Sequence, residues 1–229
     1  MIYIAKHKPI DTPKLDGYED LNMYDIKSED NIAFYETMAS ELVATYDIWK
    51  NKDDDIKGLV HYRRFFLENN KILTYERTKE LLKDYDIITT ERYIIGNGIY
   101  PNLRYECEPE EHKKDLDRYY KKLIDKIPEL EEYFLQTFFN PRNMLICKKE
   151  IFDSYCEWFF NLTLPLLNEW YNEEKSKNSP RMVAYLIERL MTYWIQKQNL
   201  KVIELPYSTT MERLGYNAVE VRTAKKMGE

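Results

Sequence analysis

Glycine is scarce in this chain. Six occur in 229 residues, where an average composition would place roughly sixteen. They stand at positions 17, 58, 96, 98, 215 and 228, which leaves no room for a Walker loop. A dinucleotide fingerprint fails as well, because Gly96-Asn97-Gly98 runs on to Pro101 where a third small residue should sit. Glycine-rich phosphate cradles are therefore excluded. A basic excess is also missing: 34 Lys and Arg face 40 Asp and Glu, a net charge of −6, which argues against a general nucleic-acid binder. No apolar run approaches the ~18 residues of a membrane span. Met1–Ala5 passes straight into Lys6-His7-Lys8 without a small-residue cleavage site, so no signal peptide is expected. Cys107, Cys147 and Cys156 are odd in number and lack metal-ligand spacing, as in a reduced cytoplasmic protein.

What is present suits a folded domain. Hydrophobic residues at 44% and aromatics at 14% outweigh the disorder that 32% charge could suggest. The length fits one domain, or two intimately packed halves, with a sizeable core. The 20 tyrosines are expected to fill core and boundary positions rather than to form stacking platforms.

The chain alternates strands and helices. Ile2–Ala5 is a short β-branched strand, followed by a polar loop with Pro9, Pro13 and Gly17. One helical period then joins Tyr35, Met38, Ala39, Leu42, Val43, Tyr46 and Trp49. Asp53-Asp54-Asp55 is a solvated turn before a second strand, Ile56–Val60, with His61-Tyr62-Arg63-Arg64 at its carboxyl end. Thr74 caps a helix reaching Leu82, and Asp86–Thr90 is a third strand. A helix starting at Pro109 presents Leu116, Tyr119, Tyr120, Leu123 and Ile127. Met144–Cys147 is a strand and 151–167 an aromatic helix that buries Trp158-Phe159-Phe160. Ser179-Pro180 opens a last long helix with Val183, Leu186, Ile187, Leu190, Met191 and Trp194 inward, and Val202–Leu205 is the final strand. This order predicts an α/β fold, a mixed central sheet flanked by helices, with ligands at strand carboxyl ends. A single domain is expected over residues 1–206, with a tail over 207–229.

Three charged groups exceed the needs of a core. His61, Arg63 and Arg64 directly follow a buried strand, where cations are costly unless they meet water, carboxylates or phosphates. If that strand end is extended, Arg63 and Arg64 point to opposite faces and only one reaches a ligand. His112 shares the buried side of its helix, with Asp115 about 100° away, so the pair could serve as a base and its orienting partner or as a boundary histidine beside a solvated aspartate. Arg181 and Glu188 project together from the Ser179-Pro180 helix, with Arg189 beside them, as a functional or a merely exposed face.

Read in order, Ile2-Tyr3-Ile4-Ala5-Lys6-His7-Lys8, Trp49-Lys50-Asn51, Gly58-Leu59-Val60-His61-Tyr62-Arg63-Arg64-Phe65-Phe66, His112-Lys113-Lys114-Asp115-Leu116-Asp117, Asn143-Met144-Leu145-Ile146 and Glu188-Arg189-Leu190 resemble a bacterial family of capsular and exopolysaccharide glycosyltransferases, long catalogued as a domain of unknown function. The likeness runs from Ile2 to about Pro206, and the Gly58–Phe66 segment is its most specific part. It departs at Lys6, where the family more often has a small hydroxyl residue, and between Thr90 and Glu108.

The resemblance implies a GT-A-like nucleotide-diphosphosugar transferase fold. It also implies transfer of a sugar, a hexose from a UDP-sugar of the UDP-galactose type, to a capsular or exopolysaccharide precursor or its lipid-linked form. Many GT-A enzymes hold a divalent metal on an Asp-x-Asp after a central strand, but here His61-Tyr62-Arg63-Arg64 stands there, and Asp53 and Asp55 precede the strand. The leaving diphosphate is therefore expected to be held without a metal by Arg63 or Arg64, helped by His7, Lys8, His61 and Arg181. Mn or Mg bound by His61 and a distant carboxylate is the alternative. On an inverting route Asp115, oriented by His112, is the first candidate base and Glu188 the second; a retaining route needs neither. No nucleic-acid partner is expected, and the location implied is the cytoplasm, at the inner face of the membrane where the acceptor is lipid-linked. The competing functions are a non-catalytic carbohydrate- or nucleotide-binding module and an interaction scaffold.

Overall fold

The computed structural model describes residues 1–107 and 110–208. Its elements, in order, are β1 (Ile2–Lys6), β2 (Tyr18–Asn22), α1 (Glu36–Ala39), α2 (Glu41–Asn51), β3 (Ile56–His61), β4 (Leu67–Glu68), β5 (Lys71–Ile72), α3 (Tyr75–Asp84), β6 (Ile87–Thr90) and β7 (Tyr93–Ile94). Then come α4 (Ile99–Glu106), α5 (Glu111–Lys126), α6 (Leu130–Phe134), β8 (Phe138–Phe139), β9 (Leu145–Lys148), α7 (Lys149–Tyr171), α8 (Met182–Ile187), α9 (Leu190–Lys197) and β10 (Val202–Leu205).

The central sheet has the order β10-β6-β9-β3-β1-β2. Its neighbours are parallel except β9, which runs against both β3 and β6. Period-two alternation sorts the side chains. Tyr3, Ala5, Leu59, Ile87, Leu145 and Cys147 enter the larger core shared with α2, α5, α7, α8 and α9. Ile2, Ile4, Val60, Ile88 and Ile146 face the smaller one, closed by Phe65, Phe66 and Leu81 and Leu82 of α3. Both faces are covered, so the central strands read as continuous apolar runs. Where β3 pairs with β9 the Ile146 side chain fills the space over Gly58: a Cβ there would lie 2.8 Å from Cγ1 of this cross-strand partner.

The mixed sheet flanked by helices expected from the sequence is present, but several elements differ. The helical period after Asp30 is interrupted: Ser40 takes φ +50 and separates α1 from α2. The last long helix is likewise two, α8 and α9, split at Glu188–Arg189. β2 and α4 were not anticipated. Pro109 lies outside the described residues, and α5 is described from Glu111. Tyr207 and Ser208 pair with Phe66 and Phe65, and residues 209–229 lie outside the description.

This topology decides which loops meet. Parallel strands β1, β3, β6 and β10 finish at one edge, where α/β sheets hold ligands. Because β9 is antiparallel, the loop entering it, Asn140–Met144, comes to that same edge.

Candidate active site

His61 to Arg64 is a tight turn and not the extended strand end expected. The His61 amide donates to the Arg64 carbonyl at 3.1 Å and the Arg64 amide to the His61 carbonyl at 2.9 Å. The turn still separates the two arginines. Arg63 is exposed, its guanidinium 4.8 Å from the Tyr62 ring centroid. Arg64 is half-buried, with Nη1 3.2 Å from Nδ1 of His61. Arginine has only donors to offer, so Nδ1 accepts and the imidazole proton belongs on Nε2. Burial, reinforced by Arg64 and Arg142 and opposed by Glu188, pushes His61 down to about 3, so the ring is neutral. Its Nε2 is buried and makes no hydrogen bond of standard geometry among the described residues, with the Arg142 backbone close enough to favour the charged ring slightly.

A second arginine arrives from the loop entering β9. Asn140 anchors that loop, its Nδ2 donating to the Thr90 carbonyl at 2.6 Å and its amide to Thr192 Oγ1 at 2.7 Å. Arg142 and Asn143 then both take positive φ, +81 and +51, which non-glycine residues adopt at a cost. The Arg142 amide donates to Glu188 Oε1 at 2.7 Å, and Asn143 Nδ2 donates to Glu41 Oε1 at 3.2 Å. The Arg64 charge is disfavoured by burial and by Arg142, against Tyr207, Glu41 and Glu188. For Arg142 desolvation also works against the charge, but a hydrogen bond with Tyr207 and the nearby Glu188 and Glu41 raise its pKa. Arg142, Glu41 and Tyr207 escaped the sequence reading. The one local signal was Asn140-Pro141, which marks a turn but not what the turn presents.

His7 and Lys8 lie exposed just beyond β1. His7 Nε2 is 3.5 Å from the Tyr62 hydroxyl, with the rings edge-on at 4.9 Å. Burial lowers its pKa, Lys8, Arg63 and Arg181 push the same way, and Glu36 opposes them. Arg181, exposed at the start of α8, sits over the Tyr185 ring and 3.9 Å from Glu41. Lys6 is buried with its ammonium 3.1 Å from Asp20. The structure thus sets His61 beside Arg64, ties Glu188 to the Arg142 backbone, rests His7 and Arg63 against Tyr62 and places Arg181 near Glu41, while Lys8 is exposed next to His7.

His112 and Asp115 stand elsewhere in the hydrogen-bonding scheme. Both are buried on α5. Asp115 Oδ1 lies 3.2 Å from Arg118, which also meets Glu173 at 2.8 Å and Glu169 at 3.3 Å near the end of α7. Asp117 receives Arg104 at 2.8 Å and the Tyr100 hydroxyl.

Among the described residues no group of three or more His, Cys, Asp or Glu is arranged to hold a metal ion. Asp53 and Asp55 precede β3, at the end of the strand opposite His61, and Asp53 bonds Lys149. His61 itself faces Arg64 with one nitrogen and has Arg142 nearby, two cations that would repel a dication. Two guanidinium groups beside a buried neutral N–H donor form a site chemically suited to an anion.

The fold is shared with a glycosyltransferase. The apo structure of the bifunctional glycosyltransferase WbbM superposes with a TM-score of 0.76 and 22% identity, covering 91% of this chain and 45% of that one. The chain thus spans about half the length of that protein. By sequence the chain belongs to the family described as a domain of unknown function, DUF4422, whose profile matches residues 1–199. No curated protein matches it significantly. No described helix is long and apolar enough to cross a membrane.

Proposed function

We propose that this chain transfers a sugar, a hexose, from a nucleotide-diphosphate donor of the UDP-sugar type to a hydroxyl of a capsular or exopolysaccharide precursor, free or lipid-linked, at the cytoplasmic side of the membrane. The observation that carries this reading is the pair Arg64 and Arg142 beside the buried His61 N–H, at the carboxyl edge of a sheet shared with a glycosyltransferase. As the glycosidic bond to the donor breaks, negative charge grows on the diphosphate. Guanidinium groups and an oriented N–H stabilise that charge without solvent reorganisation. Arg63, Arg181 and Lys8 extend the cationic surface from the same edge, with His7 beside them, and would hold the rest of the donor. On an inverting route the acceptor's proton goes to a carboxylate, Asp115 or Glu188.

Thermal melting with nucleotide diphosphates and their sugars tests the reading. A donor at a hundredfold excess over its Kd stabilises by about 2.7 kcal/mol. Binding should survive a chelator, since cations hold the diphosphate. No shift with any nucleotide diphosphate at millimolar concentration would sink the proposal, and binding that returns only with manganese would replace its cationic mechanism. Slow hydrolysis of the bound nucleotide sugar distinguishes an enzyme from a binding module that does not turn over.

A further inference from the structure

We infer that Arg142 is a second ligand of the leaving diphosphate, set beside Arg64 by Glu188, which acts through the Arg142 backbone as a positioning residue. The inference rests on the donor reading above and assigns two residues within that site.

The backbone carries the argument first. Arg142 and Asn143 are successive non-glycine residues at positive φ; asparagine tolerates that region, and arginine adopts it at a cost. The loop is over-determined: Asn140 is tied to Thr90 and Thr192, Asn143 to Glu41, and the Arg142 amide to Glu188. A strained turn held from three elements fixes where its side chain begins. Electrostatics gives the second part. The turn enters from the same strand edge as the half-buried Arg64, whose charge Arg142 disfavours, while Glu188 and Glu41 favour the charge of Arg142. Two cations converging beside a neutral histidine repel each other, and a doubly charged diphosphate reverses the sign of that interaction. Glu188 fits the positioning role because Oε1 already accepts the Arg142 amide at 2.7 Å.

The test uses the full chain, titration calorimetry with UDP and with inorganic pyrophosphate, and transfer kinetics with a UDP-sugar. Arg142→Gln should weaken both ligands tenfold or more. Glu188→Ala should weaken them similarly by freeing the turn, and adding Arg142→Gln to it should cause little further loss, since both act on one guanidinium. Glu188→Gln keeps a carbonyl oxygen for the Arg142 amide and should bind within about twofold of wild type, the conservative rescue a positioning role predicts. Wild-type affinity in Arg142→Gln, with the wild type itself binding UDP, would overturn the inference and leave the proposed function standing. Wild-type affinity in Glu188→Ala, or a loss in Glu188→Gln as large as that in Arg142→Gln, would overturn the positioning role of Glu188. Failure of the wild type to bind any nucleotide diphosphate or pyrophosphate would overturn function and inference together. Should Glu188→Ala not fold, the other two variants still decide the matter.

Discussion

Around Arg118, where α5 meets the end of α7, every cation has a carboxylate partner: Asp115, Glu169 and Glu173 share one guanidinium, and Lys122 closes on Glu169. Around Arg64, at the strand edge, this is not so. Arg142 is its neighbour, His61 is neutral, and the nearby carboxylates already serve backbone and side-chain partners: Glu188 the Arg142 amide, Glu41 Asn143 and Arg181. A cluster whose cations are all paired in this way fastens helices together and has no cation left for an outside anion. A cluster with surplus cations gains from an anion brought in from outside, at the expense of the unliganded fold. The difference separates two groups that looked equally promising as residue types, His112 with Asp115 and His61 with Arg64.

The strongest way to break the comparison is Arg64→Ala. Losing one buried charge-assisted contact should cut nucleotide-diphosphate affinity about 10²-fold, or about 2.7 kcal/mol. The melting temperature should hardly move, because the lost bond to His61 is offset by relief of repulsion with Arg142. Arg63→Ala, which removes an exposed group resting on Tyr62, should cost less than tenfold. Calorimetry and melting on both variants decide this, and equal losses in the two would erase the distinction drawn by the turn.

The next effect is on stability against pH. A histidine held near 3 in the fold and near 6.5 unfolded takes up a proton on unfolding, so stability is independent of this group above about 6.5 and falls as pH drops below it. By pH 5 the loss from His61 alone should reach about 2 kcal/mol. Denaturant melts at pH 7.5 and 5 should show it in the wild type and not in His61→Gln. An equal pH slope in both proteins would mean that His61 is protonated in the fold, and the neutral N–H donor would be lost from the site.

Asp115→Asn is expected to have the smallest effect. Arg118 keeps Glu173 and Glu169, so stability should fall by about 1 kcal/mol with nucleotide affinity unchanged. Transfer to an oligosaccharide acceptor is the sharper readout. A fall of roughly 10²–10⁴-fold at normal affinity would make Asp115 the base and place chemistry inside the paired cluster.

Much of the scaffold was legible in order. Val60, Leu59 and Ile146 lie on doubly buried strands whose apolar runs need no partner to be seen, and Thr74 does cap α3, accepting from the Arg77 amide at 3.2 Å. β2 was not legible because Tyr18-Glu19-Asp20-Leu21-Asn22 is an edge strand with Leu21 alone fully buried, so its sequence lacks both a run and an alternation. The break at Ser40 was hidden for the opposite reason: the apolar spacing from Tyr35 to Trp49 continues across it, and a left-handed serine leaves no mark on hydrophobic periodicity.

By itself the sequence determined that no glycine loop could hold a phosphate, that a buried strand ends in His61-Tyr62-Arg63-Arg64, and that helices alternate with strands around it. These follow from the transfer of side chains out of water along short stretches of chain, which residue order records directly. Only the tertiary structure decided which arginine turns inward, that Arg142 joins it from a loop 78 positions further on, and that Asp115 is spoken for by Arg118. Those outcomes depend on which charges meet across the sheet edge, and the antiparallel insertion of β9 between β3 and β6 settles that meeting far from either residue's own neighbours.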